Sequence, residues 1–142
     1  METNLTKFNN QLDQFLTEIY QLLPDQVQLR VVQDKLRLVR SMNSRIVIEY
    51  FSQHILPFQD KIINQDDSFF IENGEQLVGS KYDENIQKIQ NLQADVSRDE
   101  VIKVFRMIKG IWSNRLSIEN KQIIWDYFKV LVVLCKRYYR LI

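Results

Sequence analysis

The chain has 142 residues, of which 45% are hydrophobic and 26% charged, and a formal net charge of +1. That length suits one domain able to bury about 70% of its unfolded surface, and the composition excludes a disordered chain. A near-neutral total exerts no global pull toward nucleic acid or acidic lipid.

With only three glycines and two prolines, the chain lacks the turn residues that an all-β domain spends every 8–12 positions. The composition therefore argues for helix. Cys135 is the single cysteine, so no intrachain disulfide can form, which fits a reducing, intracellular compartment. Glu2 and the polar Asn9-Asn10-Gln11 interrupt any signal-peptide pattern. The longest apolar run, Val130 to Cys135, is fenced by Lys129 and Lys136 and falls far short of the ~20 residues that span a bilayer. The expectation is one soluble helical domain over 1–142, without membrane insertion.

In chain order, Leu5, Phe8, Leu12, Phe15, Ile19 and Leu22/Leu23 draw one apolar stripe down a first helix, which Pro24 ends. A second helix is expected from about Asp25, with Leu29, Val32, Leu36 and Val39 inward, stopping near Ser41. Asn43 or Ser44 can cap the next helix. That third helix carries Val47, Phe51, Ile55, Phe58 and Ile62, and Pro57 predicts a kink or a break after Leu56. Asp66 to Ile71 reads as a short helical turn with the pair Phe69-Phe70 tucked inward. Glu72 to Tyr82, with Gly74, Gly79 and Ser80, reads as the main loop.

Ile86, Ile89 and Leu92 mark a short helix. Ser97-Arg98-Asp99-Glu100 has the spacing of a capping box for a helix using Val101, Val104, Phe105, Ile108, Ile111 and Trp112. Ser117 can cap the last helix, in which Ile123, Ile124, Phe128, Val130 to Leu134 and Tyr138 are apolar on nearly every side. A helix of that kind belongs in a core. The predicted fold is all-α, a compact orthogonal bundle of five to seven helices around a buried C-terminal helix.

Charge is unevenly distributed. Residues 101–142 hold nine basic side chains against Glu119 and Asp126, a balance of +7. Residues 46–100 hold eleven acids against Lys61, Lys81, Lys88 and Arg98, a balance of −7. The simplest expectation is that the two segments fold together and partly neutralise each other.

Chemistry-bearing patterns are sparse. His54, the only histidine, lies beside an apolar stripe without a Cys, His or carboxylate at metal-ligand spacing, and reads as a structural histidine. Cys135 sits inside the apolar run, where burial makes a thiol inert. Asp66-Asp67 with Glu72 lacks the alternating acids and central glycine of a calcium loop, and better suits an acidic helix start. Phosphate loops, nucleophile elbows and zinc-protease motifs are missing, so no catalytic residue, metal or cofactor is assigned and an enzyme is not expected. Lys136, Arg137, Tyr139 and Arg140 form the sharpest surface candidate, since cations interleaved with aromatics can grip phosphates and stack bases. A helix end with dipole-compatible cations is the simpler explanation. Trp112 and Trp125 read as core anchors.

Two stretches carry a family resemblance. One runs Met42-Asn43-Ser44 to Phe51, then His54-Ile55-Leu56-Pro57-Phe58, Lys61-Ile62-Ile63 and Asp66-Asp67-Ser68-Phe69-Phe70. The other is Ile108-Lys109-Gly110-Ile111-Trp112, Leu116-Ser117 and Asn120 to Leu131. Together they resemble short helical proteins encoded by nucleocytoplasmic large DNA viruses. The resemblance implies an all-α fold and a viral setting, in the host cytoplasm, the nucleus or the virion, and carries no assigned activity. The functional expectation is a non-enzymatic interaction or structural protein working through protein–protein contacts or self-association. The alternative is a nucleic-acid-associated factor using the basic 101–142 segment. A death-pathway mimic is disfavoured because Trp112-Ser113-Asn114-Arg115 does not supply that family's Asn-Trp-Gly-Arg motif.

Overall fold

The computed structural model describes residues 2–79, 106, 109–112 and 116–142. Among these the secondary structure is all α-helix and short 3-10 turn, without strand, as the composition predicts. The expected helix around Ile86 to Leu92 and the capping box at Ser97 lie outside the described residues.

Helix α1 (Asn4–Leu22) starts where Thr3 Oγ1 accepts the Thr6 amide proton at 3.1 Å, satisfying one of the donors that a helix start leaves orphaned. It closes at Leu23, just before Pro24, as predicted. Phe8, Phe15 and Ile19 form its buried stripe. Helix α2 (Val27–Met42) turns Leu29, Gln33 and Val39 inward, with Val32 and Leu36 half-buried.

Gln33 is 5% exposed, and a polar group so placed needs partners. Its Nε2 donates to the Asp13 carbonyl at 3.0 Å and to Thr17 Oγ1 at 2.8 Å. Beside it the Arg37 guanidinium grips Asp13 with two bonds of 2.7 and 2.8 Å. Arg40 adds a 3.3 Å contact to Asp13 and donates to the Asn9 carbonyl at 2.8 Å. This polar clamp holds α2 on α1 along one edge while the apolar stripes meet beside it.

Helix α3 (Ile46–His54) buries Ile46, Ile48, Phe51 and His54. Its cap differs in detail from expectation. Asn43 Oδ1 accepts the Arg45 amide proton at 3.1 Å, a local turn that precedes the helix, and Arg45 makes no side-chain cap. Pro57 produces the break anticipated for it. The chain passes through a 3-10 turn (Leu56–Phe58), where proline occupies the first turn and its missing amide goes unmissed. It then resumes as α4 (Gln59–Ile63).

The turn after α4 is the tightest in the chain. Gln65 adopts φ 53°, the left-handed region usually left to glycine. Its amide donates to Ile62 O at 3.0 Å and that of Asp66 to Lys61 O at 2.9 Å, the Schellman pairing. Asp66 Oδ1 then accepts the Phe69 amide proton at 3.1 Å and starts α5 (Asp67–Gly79). Here the loop expectation is corrected. Residues 72–79 of the span Glu72–Tyr82 are helical, and 80–82 lie outside the described residues. Glycine lowers helix propensity by only ~1 kcal/mol, so Gly74 and Gly79 weaken a helix that a capping aspartate and the packed pair Phe69-Phe70 have already begun.

The last helix, α6 (Ile118–Tyr138), is capped by Ser117, whose Oγ accepts the Asn120 amide proton at 3.1 Å. It packs most extensively on α1 and also touches α3 and α4. Ile124, Trp125, Leu131, Val132, Leu134 and Cys135 are buried, so one side of α6 supplies a large part of the core, whereas the sequence suggested burial on nearly every side. One stripe stays open: Val130 and Val133 are 42% and 38% exposed, in line with Asp126 and Arg137. No helix among the described residues is long and apolar enough to cross a membrane.

Two outcomes follow for stability. Leu131 is 1% exposed, so Leu131→Asp buries an unpaired carboxylate at a cost of several kcal/mol, against about 5–15 kcal/mol for a whole domain. Far-UV circular dichroism of the variant should show loss of the cooperative melt. The Asp13 carboxyl is held below its ordinary 3.8, chiefly by the Arg37 hydrogen bond. A carboxyl depressed in the folded state stabilises above its unfolded value, and that contribution is lost as pH falls through the folded one. Between about pH 5 and pH 2, the urea midpoint of the wild type should therefore fall more steeply than that of Asp13→Asn.

Candidate functional site

The residues of the basic C-terminal candidate lie in the last turn of α6 and just beyond it. Lys136 is half-buried, and Arg137 and Arg140 are exposed. Arg140 stands past the end of α6 at φ 57°, where its amide donates to Arg137 O at 3.1 Å and that of Leu141 to Lys136 O at 2.8 Å. This is a second Schellman end built on a residue other than glycine. Tyr139 is 38% exposed and leans on α3 within bonding reach of Ser52. Burial pushes its phenol up, the Ser52 hydrogen bond opposes that shift and Glu49 adds to it. Its ring meets Tyr138 edge-on at 4.8 Å. Tyr139 is thus tied to the fold by α3 and Tyr138.

His54 and Cys135 are both buried, at 7% and 0% exposure. His54 packs edge-on against Tyr50 at 4.6 Å. The Cys135 thiol is pushed up to about 11 by burial, so its thiolate population at neutral pH is minute. Asp66 and Asp67 work as helix-start residues, Asp66 as cap and Asp67 as acceptor of the Trp112 indole N–H at 3.1 Å. Among the described residues no group of three or more His, Cys, Asp or Glu side chains could hold a metal ion.

Among the described residues, α6 and the α4–α5 turn are joined by side-chain hydrogen bonds. The Gln65 and Gln122 side-chain amides pair reciprocally at 3.1 and 2.9 Å, and Lys129 Nζ donates to Gln65 Oε1 at 2.6 Å. Asp126 accepts from Gln122 at 2.8 Å. This network fixes the α4–α5 turn against α6.

Two features stand out that sequence reading did not single out. The first is the outer face of α2. Val27, Val31, Leu38 and Met42 are 63%, 39%, 45% and 48% exposed. At 100° per residue these four fall within one narrow stripe running the length of the helix, opposite the inward Leu29, Gln33 and Val39. The apolar periodicity of α2 is therefore two-sided. That signal was present in the sequence, but the inward positions alone satisfied an amphipathic reading.

The second is a cavity of about 240 Å³ lined by residues of α1, α2, α4, α5 and α6 and by helical residues 106, 109, 111 and 112. Its walls are apolar: the aromatic Phe15, Phe70, Trp112, Trp125 and Phe128, with aliphatic residues that include Leu16, Ile19, Leu23, Leu29 and Val32. Trp112 and Trp125 meet edge-on at 5.7 Å, and Phe70 lies 5.9 Å from Trp125. Among the described residues of the lining, Asp67, Arg106 and Lys109 bring charge. A sealed void of this size would cost on the order of 6 kcal/mol at ~24 cal/mol per Å³, comparable to a domain's entire stability.

No family model, curated protein or solved structure matches the chain.

The buried thiol gives a direct check. Under native conditions Cys135 should react with a thiol reagent orders of magnitude more slowly than in denaturant, followed as absorbance of the released thiolate. Rapid native labelling would show the Val130–Cys135 segment opening to solvent.

Proposed function

We infer that the protein acts without catalysis, through protein–protein contacts made by the outer face of α2. The observation that carries this reading is the four-residue apolar stripe, left in solvent on a helix whose other face is already satisfied by α1. Isolated exposed apolar residues are ordinary, whereas an aligned set flanked by charge marks an interaction surface. Here Arg30, Asp34, Lys35 and Arg37 supply the polar surround. The resemblance of the two motif stretches to large-DNA-virus proteins supports an infected cell or a virion as the setting. Nucleic-acid binding is less well supported, because Tyr139 is held against α3 rather than presented as a stacking platform.

The test is the double substitution Val31→Glu with Leu38→Glu. Both positions are exposed, so the melt should change by no more than about 0.5 kcal/mol per site. Partners cross-linked to the wild type in source cells should be lost, since central apolar contacts typically contribute more than 1 kcal/mol each. Recovery of the same proteins at equal yield by both forms would discard α2 as the contact surface.

A further inference from the structure

Beyond contacts made by α2, we propose that the outer stripe of α6 pairs two copies of the chain. The two helices run antiparallel about a two-fold axis, with Val130 and Val133 at the centre and Asp126 of each copy against Arg137 of the other. Exposure defines the stripe. From Glu119 onward the exposed positions of α6 are Glu119, Gln122, Asp126, Val130, Val133 and Arg137, and Arg140 extends them past the helix end. At 100° per residue they fall within about 80° of arc, opposite the buried Ile124, Leu131 and Cys135.

The order of groups along the stripe selects a second copy as its partner. Two acids stand on the first half and two arginines on the second. Among the described residues neither guanidinium holds an ion pair, and no cation pairs with Asp126. Asp126 Oδ1 accepts only from the neutral Gln122 amide, at 2.8 Å. The spacing is palindromic: four residues from Asp126 to Val130, three to Val133 and four to Arg137. A two-fold axis midway between positions 131 and 132 therefore brings Val130 level with Val133 of the other copy, and Asp126 level with its Arg137. Such a contact has to complement itself, because each group meets its counterpart twice. A parallel pair would instead set Asp126 against Asp126 and Arg137 against Arg137.

Geometry favours the same pairing. Val130 and Val133 are 42% and 38% exposed, and side chains this small let helix axes approach to about 8–10 Å. Asp126 and Arg137 stand about 16 Å apart along the axis at 1.5 Å per residue. The two ion pairs thus flank a central patch of four valines, two from each copy.

Sedimentation of the full chain from about 10 µM to about 1 mM reads the association. The stripe is narrow, so a weak, concentration-dependent dimer is expected. Asp126→Arg alone sets like charges together at both ends of the contact, and so does Arg137→Asp alone. Each should raise the dissociation constant about tenfold or more, since two exposed pairs turn repulsive at once. An equimolar mixture of the two variants should regain wild-type affinity, because every contact between positions 126 and 137 of unlike chains again joins opposite charges. A chain carrying both reversals should do the same by itself. Recovery on mixing also shows that each single variant is folded. Val133→Glu, at an exposed position, should weaken pairing in the wild type and in the double reversal alike.

A wild type that stays monomeric throughout this range would overturn the proposal. Association that the single reversals leave unchanged, or that does not return on mixing, would overturn it too. Association abolished by Val31→Glu with Leu38→Glu and untouched by the α6 changes would also overturn it, placing the dimer contact on α2. The α2 reading keeps its own cross-linking test, because no α6 substitution touches its stripe.

Discussion

The packing of α1 along α6 is the contact on which the rest of the molecule depends. Phe15 stacks on Tyr127 at 5.4 Å and meets Phe128 edge-on at 5.1 Å, so one residue of α1 is gripped by two of α6. Phe8, lower on the same stripe, is wholly buried and meets Phe51 of α3 at 5.3 Å. With α1 seated in this way, α2 is placed by the Asp13–Arg37–Gln33 clamp and α3 by the Phe8–Phe51 contact. Each further element attaches to a surface that the first pair has formed.

The α4–α5 turn shows how a local cost is offset by tertiary bonding. A left-handed residue other than glycine costs roughly 1–2 kcal/mol, and Gln65 accepts that conformation. Glycine there would relieve the backbone but remove the side chain that binds both Gln122 and Lys129. The turn aims α5 so that Phe70 reaches Trp125 and Asp67 reaches the Trp112 indole. The back wall of the cavity is therefore positioned by a residue that does not line it.

Helix α2 serves two environments at once. Leu29 and Val32 line the cavity, while Val27, Val31, Leu38 and Met42 stand in solvent on the far side. Its polar flank, Gln33, Arg37 and Arg40, is occupied by α1. One sixteen-residue helix thus separates the internal apolar space from the external apolar stripe.

Much of the architecture was legible in the sequence because it rests on local chemistry. The Ser117 cap, the stop at Pro24, the break at Pro57 and the acidic start at Asp66 each follow from one or two residues acting on their own backbone. Burial of Trp112, Trp125, His54 and Cys135 followed from helical periodicity. What periodicity could not decide was which apolar positions would find partners. Val130 and Val133 belong to the same run as Leu131 and Leu134, yet only the latter pair faces α1 and its neighbours. The helical state of 72–79 likewise depended on a cap and an aromatic pair outweighing two glycines, a balance that composition around Gly74 and Gly79 does not reveal. The cavity lay beyond sequence reading altogether: its walls come from separate stretches of chain, and an apolar residue lining a space has the same local pattern as one filling it.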